Sequence, residues 1–202
     1  RPEAEEMLLK SQIVVELQEY GLRSNGHSSG RAALELAYGK DCFSNPHAQA
    51  HIRALAEPSV LYDKFLSRAN GWRFPIENPR FRFHLITHIT GGGIVGKFSE
   101  DILFPRGLSA KLWNLFPPPE IMKWVAKTRR MSDEECYRTF SCGNGALAVL
   151  DAKEAPRFIG MAREYDIYAQ ACGVITAQTK GTPTLEIRSG FSGKTLLFPA
   201  KG

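Results

Sequence analysis

The sequence predicts an α/β (α+β) domain, a mixed β-sheet flanked by helices on at least one face. Three observations carry that prediction. Short β-branched runs alternate with segments of helical periodicity along 202 residues. Glycine-rich breaks stand between them at 19–30, 91–93 and 140–145. The chain then closes in two strand-like runs joined by Ser189-Gly190-Phe191-Ser192-Gly193, a hairpin turn.

Taken in order, Met7 onward begins helical or irregular and becomes a strand over 11–17, which is rich in Val and Ile. A loop of three glycines and an Asn-Gly step follows. Ser28 or Ser29 is expected to cap a helix over 31–38 that stops near Gly39. Residues 40–57 resist assignment. A helix with Leu61, Phe65, Leu66 and Ala69 on one face is expected after Glu57-Pro58-Ser59, then a polar connection over 70–81. The strand 81–87 runs into Gly91-Gly92-Gly93, and a short helix over 94–103 ends before Pro105. A strand at 109–114 is stopped by Pro117-Pro118-Pro119, which starts a helix over 120–127. Ser132 with Glu135 reads as a capping box opening the next helix. Strands at 146–150, 171–176, 184–187 and 195–198, with a helix over 155–165, complete the pattern.

Composition excludes some functions. The net charge of +5 fits an anionic ligand, but no Lys/Arg run exceeds two residues, so no nucleic-acid partner is expected. No apolar run approaches the roughly 18 residues of a membrane span. The chain opens at Arg1 without methionine or signal peptide, which leads us to expect numbering that begins inside a longer or processed protein. Cys42, Cys136, Cys142 and Cys172 show no CxxC spacing and need no disulfides in a chain this size. The expected compartment is reducing and cytoplasmic.

The segment His84 to Ile94 combines a strand end, two histidines and three consecutive glycines. Glycine runs lose much backbone entropy on folding, so they mark unusual backbone angles or close approach to a ligand. At a strand-to-helix junction, free N–H groups suit a phosphate. A tight turn without a ligand is the alternative. His47 and His51, four apart, share a helical face and could hold a metal, yet no third ligand stands at a telling distance. His84 and His88 in a strand lie about 13 Å apart and cannot chelate one ion together.

Three segments together, Gly21-Leu22-Arg23-Ser24-Asn25-Gly26, Thr87-His88-Ile89-Thr90-Gly91-Gly92-Gly93 and Cys136-Tyr137-Arg138-Thr139-Phe140-Ser141-Cys142-Gly143-Asn144-Gly145, carry a resemblance. In order and spacing they resemble the C-terminal domain of the phosphoribosylformylglycinamidine cyclo-ligase (aminoimidazole ribonucleotide synthetase) family. Glu57 to Tyr62 resembles the family's P-T-x-x-Y segment. The likeness covers nearly the whole chain, so 1–202 is expected to be a single C-terminal-type domain.

The resemblance implies an ATP-dependent ligase of purine biosynthesis. ATP phosphorylates a formyl amide oxygen, an amine attacks the resulting carbon, and phosphate leaves as the imidazole closes. It implies an N-terminal domain, not in this chain, that holds most of the ATP, the Mg²⁺ and the homodimer interface. No metal ligand is expected in this chain. The partners implied are a phosphorylated small molecule and that N-terminal domain. Carried over, His88 would polarise substrate or shuttle a proton. Arg23, Ser24, Asn25, Gly26, Thr90, Gly91, Gly92, Gly93, Arg138 and Thr139 would line the cleft around substrate or phosphate. Cys142 reads as a small buried residue rather than a nucleophile.

The departures gather at the same place. Arg23 stands where the family has histidine and Ser141 where it has asparagine, and Ala146 replaces a methionine. An acidic Val95 to Asp101 follows the glycines where the family is basic. A divergent paralogue with another substrate, or a non-catalytic binding domain of the same fold, is the alternative reading.

Overall fold

The structure, a computed structural model, describes residues 12–23, 25–72, 78–177 and 181–201. Seven strands form one mixed sheet: β1 (Gln12–Gln18), β2 (Phe83–His88), β3 (Leu108–Leu112), β4 (Asn144–Asp151), β5 (Ala169–Ala177), β6 (Thr184–Arg188) and β7 (Thr195–Pro199). Their spatial order is β2-β4-β1-β5-β3-β6-β7. Every pairing is antiparallel except β3 with β6. The helices are α1 (His27–Tyr38), α2 (Gln49–Leu55), α3 (Asp63–Asn70), α4 (Glu120–Arg129), α5 (Asp133–Thr139) and α6 (Ala155–Arg163).

Alternation along the central strands divides the interior in two. Val14 of β1 and Leu147 and Val149 of β4 face one core, packed by α1, α2, α4 and α5. Val15 and Leu17, with Ala146, Ala148 and Leu150, face the other, packed by α3 and α6. Helices therefore cover both faces. Fully buried side chains such as Phe98, Met122 and Phe140 in the first core, and Phe65 and Phe158 in the second, each contribute roughly 1.5–3 kcal/mol of transfer free energy.

Several element ends follow the local signals in the sequence. Ser132 accepts from the Glu135 N–H and Glu135 returns the bond, the expected capping box. Gly39, at φ 85°, ends α1 as expected. Others need correction. Neither Ser28 nor Ser29 caps α1: the helix starts a turn earlier at His27, behind Gly26 at φ 90°. Helix α3 begins at Asp63, β2 at Phe83, and α6 ends at Arg163. His47 and His51 do not share a helical face. His47 lies in a 3₁₀ turn at Pro46–Ala48, while His51, in α2, bonds the Tyr38 hydroxyl at 2.8 Å and stacks on Trp124. The helix after the glycines is a π-helix, Val95–Leu103. The Ser99 hydroxyl donates to the Val95 carbonyl, the acceptor that an α-helix gives to the Ser99 N–H. The expectations for 7–11 and part of 70–81 lie outside the described residues. Among the described residues, no helix is long and apolar enough to cross a membrane.

Glu16, in the middle of β1, is fully buried. One carboxylate oxygen accepts from the Phe116 N–H at 2.8 Å and from the Gln170 amide at 2.7 Å, and the other has no partner among the described residues. Burial pushes its carboxyl well above the ordinary 4.5, against those two bonds. The folded state thus binds this proton more tightly than the unfolded chain. Its stabilisation is present below about pH 4.5 and is lost as pH rises through the raised value. Glu16→Gln is expected to flatten that loss, read as urea midpoints that differ less between roughly pH 5 and 8 than those of the parent.

Candidate functional site

The three glycine-rich segments meet at one end of the sheet. Gly93, at φ 62°, lies so close to α5 that a Cβ there would sit 2.1 Å from the Tyr137 carbonyl oxygen and 2.9 Å from that of Phe140. Asn25 reaches the same segment, its amide donating to the Thr139 carbonyl at 2.6 Å. Gly26 leaves room for the Phe140 ring, 2.6 Å from where its Cβ would stand. The glycine loop and the Asn25-Gly26 turn are therefore both seated on the end of α5.

The glycine loop closes on itself through a 3.0 Å bond from the Gly93 N–H to the Thr90 carbonyl. Gly91 and Gly92 are exposed, and a Cβ at Gly91 would meet nothing within 4 Å. The open main chain of the loop is thus at 91–92, while Gly93 is packed. The buried Oδ1 of Asn25 and Oγ of Ser141 have no partner among the described residues.

His88 ends β2, exposed, with Ile89 after it bonded to the Gly145 carbonyl at 2.9 Å. Its ring meets Tyr62 edge-on at 5.8 Å. Burial of part of the ring, then the charge of Arg23, holds the imidazole below its usual 6.5. Arg23 itself sits at φ 58°, its guanidinium 5.3 Å over the Tyr62 ring and 2.5 Å from Glu19. The Tyr62 hydroxyl donates to the Gln18 carbonyl at 2.5 Å. Burial is the main cause that pushes the Tyr62 phenol well above its ordinary range.

Not all the residues singled out in the sequence gather here. Ser24 lies outside the described residues. The Arg138 side chain turns to Glu100 on the π-helix, 2.7 Å away, and lies 5.3 Å over the Phe198 ring. Thr139 contributes its carbonyl, to Asn25. His84 pairs instead with Asp151 at 2.8 Å, and that bond holds the Asp151 carboxyl below its ordinary value. Cys142 is buried at φ 52°, and burial pushes its thiol well up, which is no setting for a nucleophile. Sequence reasoning missed Glu19 and Glu100. An acid four residues before Arg23, at a strand end, was the available signal for the first. The acidic run ending in Glu100 and Asp101 was the signal for the second, but the partner it meets, Arg138, is 38 residues away.

The family described as AIR synthase related protein, C-terminal domain, matches residues 7–186. The chain belongs to this family. A phosphoribosylformylglycinamidine cyclo-ligase of Staphylococcus carnosus is 27% identical over 168 residues, covering 82% of this chain and 45% of that protein. One from Albidiferax ferrireducens is 31% identical over 167 residues, with 82% and 45% covered. The chain spans less than half the length of these relatives. The solved structure of T. maritima PurL complexed with FGAR superposes on 94% of this chain and 27% of that one, at 13% identity and a TM-score of 0.46.

Proposed function

We propose that this chain forms one wall of the substrate cleft of an ATP-dependent cyclo-ligase that converts formylglycinamidine ribonucleotide to aminoimidazole ribonucleotide. The observation that carries this reading is the seating of the glycine loop and the Asn25-Gly26 turn on the same end of α5, beside His88. Two matched motifs are thereby brought to the third in space as well as in sequence.

In this reading the main chain at Gly91 and Gly92 meets an anionic group of the ligand, with no Cβ to hold it off. His88, held below its ordinary value, is neutral at pH 7 and takes up the proton that the attacking amine must lose. The unpartnered Asn25 Oδ1 accepts from the ligand or from a bridging water. ATP, when bound, supplies the phosphoryl group that activates the amide oxygen. Among the described residues no three His, Cys, Asp or Glu side chains group to hold a metal. In this reading Mg²⁺ is held with ATP by an N-terminal domain outside this chain, and no step is assigned to an ion here.

The full-length protein with formylglycinamidine ribonucleotide, ATP and Mg²⁺ should release ADP and aminoimidazole ribonucleotide. His88→Ala should lower turnover about 10²-fold or more with little change in the urea midpoint. A folded full-length sample without turnover would sink the reading.

A second reading, a paralogue acting on another substrate, is favoured by one observation. Arg23 and Arg138, the two cations the resemblance assigns to the ligand, are both paired with acids of this chain. A screen of amide and acid substrates by ADP release separates the two readings.

A further inference from the structure

Arg23, which stands where the resemblance puts a histidine, is paired with Glu19 of this chain. The Glu19 side chain is fully buried. One of its oxygens accepts from the N–H groups of Tyr20 at 2.9 Å, Gly21 at 3.2 Å and Val60 at 3.3 Å. The other takes the Arg23 guanidinium at 2.5 Å. A single carboxylate thus ties the end of β1, the turn after it and the segment before α3. Arg23 also reaches the Val60 carbonyl at 3.5 Å, and its own carbonyl is bonded to the His27 ring at 2.6 Å.

The cluster is closed on the side of β4. A Cβ at Gly145 would stand 2.2 Å from the Tyr62 hydroxyl and 3.0 Å from the Arg23 guanidinium. The Gly145 carbonyl holds the N–H of the residue that follows His88. Arg23 and Tyr62 therefore press against the point where the strand bearing His88 is anchored.

We propose that Glu19 and Arg23 are positioning residues for His88. Glu19 holds Arg23 in a left-handed conformation, Arg23 lies over Tyr62, and Tyr62 packs its ring against the imidazole. The pair works at one remove from the ligand, so the cation at 23 orients the base instead of binding an anion. This rests on the reading of His88 as the proton-transfer residue. Among the described residues, Arg23 and Tyr62 are the charged and titratable groups set around the His88 ring. Glu19 lies behind Arg23, and Gly145 and Ala146 on β4 carry no titratable group. The direction in which Arg23 moves His88 agrees with this arrangement: a fixed positive charge nearby disfavours the imidazolium.

The test is an NMR titration of the histidine ring signals, with His88 assigned from a His88→Asn variant and no ligand present. Arg23→Gln should raise the His88 midpoint by about half a pH unit or more. Arg23→Lys keeps a charge but not a planar group over Tyr62, and should raise it by less. If Arg23→Gln does not fold, Arg23→Lys alone decides. A His88 midpoint that stays put in every folded variant overturns the proposal. Because the titration uses no ligand, its failure leaves the cyclo-ligase reading standing. Loss of turnover in the folded full-length protein removes that reading instead, whatever the titration shows.

Discussion

Gly93→Ala should destabilise the protein by about 3 kcal/mol or more, while Gly91→Ala, two residues away, should leave stability within about 1 kcal/mol. The two glycines look alike in sequence and differ in what surrounds them. A methyl group at 93 would lie 2.1 Å from the Tyr137 carbonyl oxygen, and the backbone there is left-handed at φ 62°. The obstructing atoms are main chain of α5, so no rotamer change relieves the clash. Relief requires lifting the loop off α5, which exposes Ile94 and Val95, both fully buried. At 91 a Cβ meets nothing within 4 Å. Urea denaturation followed by tryptophan fluorescence measures both variants. Equal midpoints for the two would show that the loop is not seated on α5 as described. If both fold, Gly91→Ala is also the variant expected to weaken an anion at the open end of the loop.

Glu19→Ala should destabilise the fold by about 3–5 kcal/mol, the magnitude seen when one partner of a buried ion pair is removed. The loss has two parts. Three main-chain N–H groups, at Tyr20, Gly21 and Val60, lose their acceptor. The Arg23 guanidinium, whose side chain is only 12% exposed, is left without its counter-ion. Arg23→Met in the same chain should recover part of the loss, because an apolar chain of similar length removes the uncompensated charge but returns no acceptor to the three N–H groups. Equilibrium unfolding of the two single variants and the double variant gives the coupling energy. Additive losses would mean that the two side chains do not act as a pair. The exposed pairs Lys97–Asp101 and Lys123–Glu120 are expected to show almost nothing in the same experiment.

The acids opposite Arg23 and Arg138 bear on how the resemblance to the family is to be used. Matching an arginine to an anion-binding position assumes a free guanidinium. Here the partner of Arg23 is four residues away in sequence and that of Arg138 is 38 away, on the helix where the chain departs from its family. One departing residue, Arg23, and one residue of the departing segment, Glu100, are each held in an ion pair.

Much of the fold was legible because its signals are local. The β-branched run at 12–18, the capping box at Ser132 and the hairpin at 189–193 each depend on a few adjacent residues. Where a tertiary contact competes with a local preference, the tertiary contact prevails. Ser28 and Ser29 are good caps, but Gly26 must accommodate the Phe140 ring, so α1 starts behind that glycine. The helix after the glycines has ordinary periodicity, and its wider π turn shows only in its hydrogen bonds.

By itself the sequence determined the fold class, through hydrophobic period and turn chemistry, and the family, through the resemblance of three segments that meet at one end of the sheet. All of these are properties of the chain read in order. Only the tertiary structure decided which glycine is open and which is packed, that Glu19 is the hub of the turn, and that Arg23 and Arg138 are already paired. Such facts depend on close approach between segments far apart in sequence. Coulombic attraction and steric exclusion act through distance in space, and the order of residues does not record it.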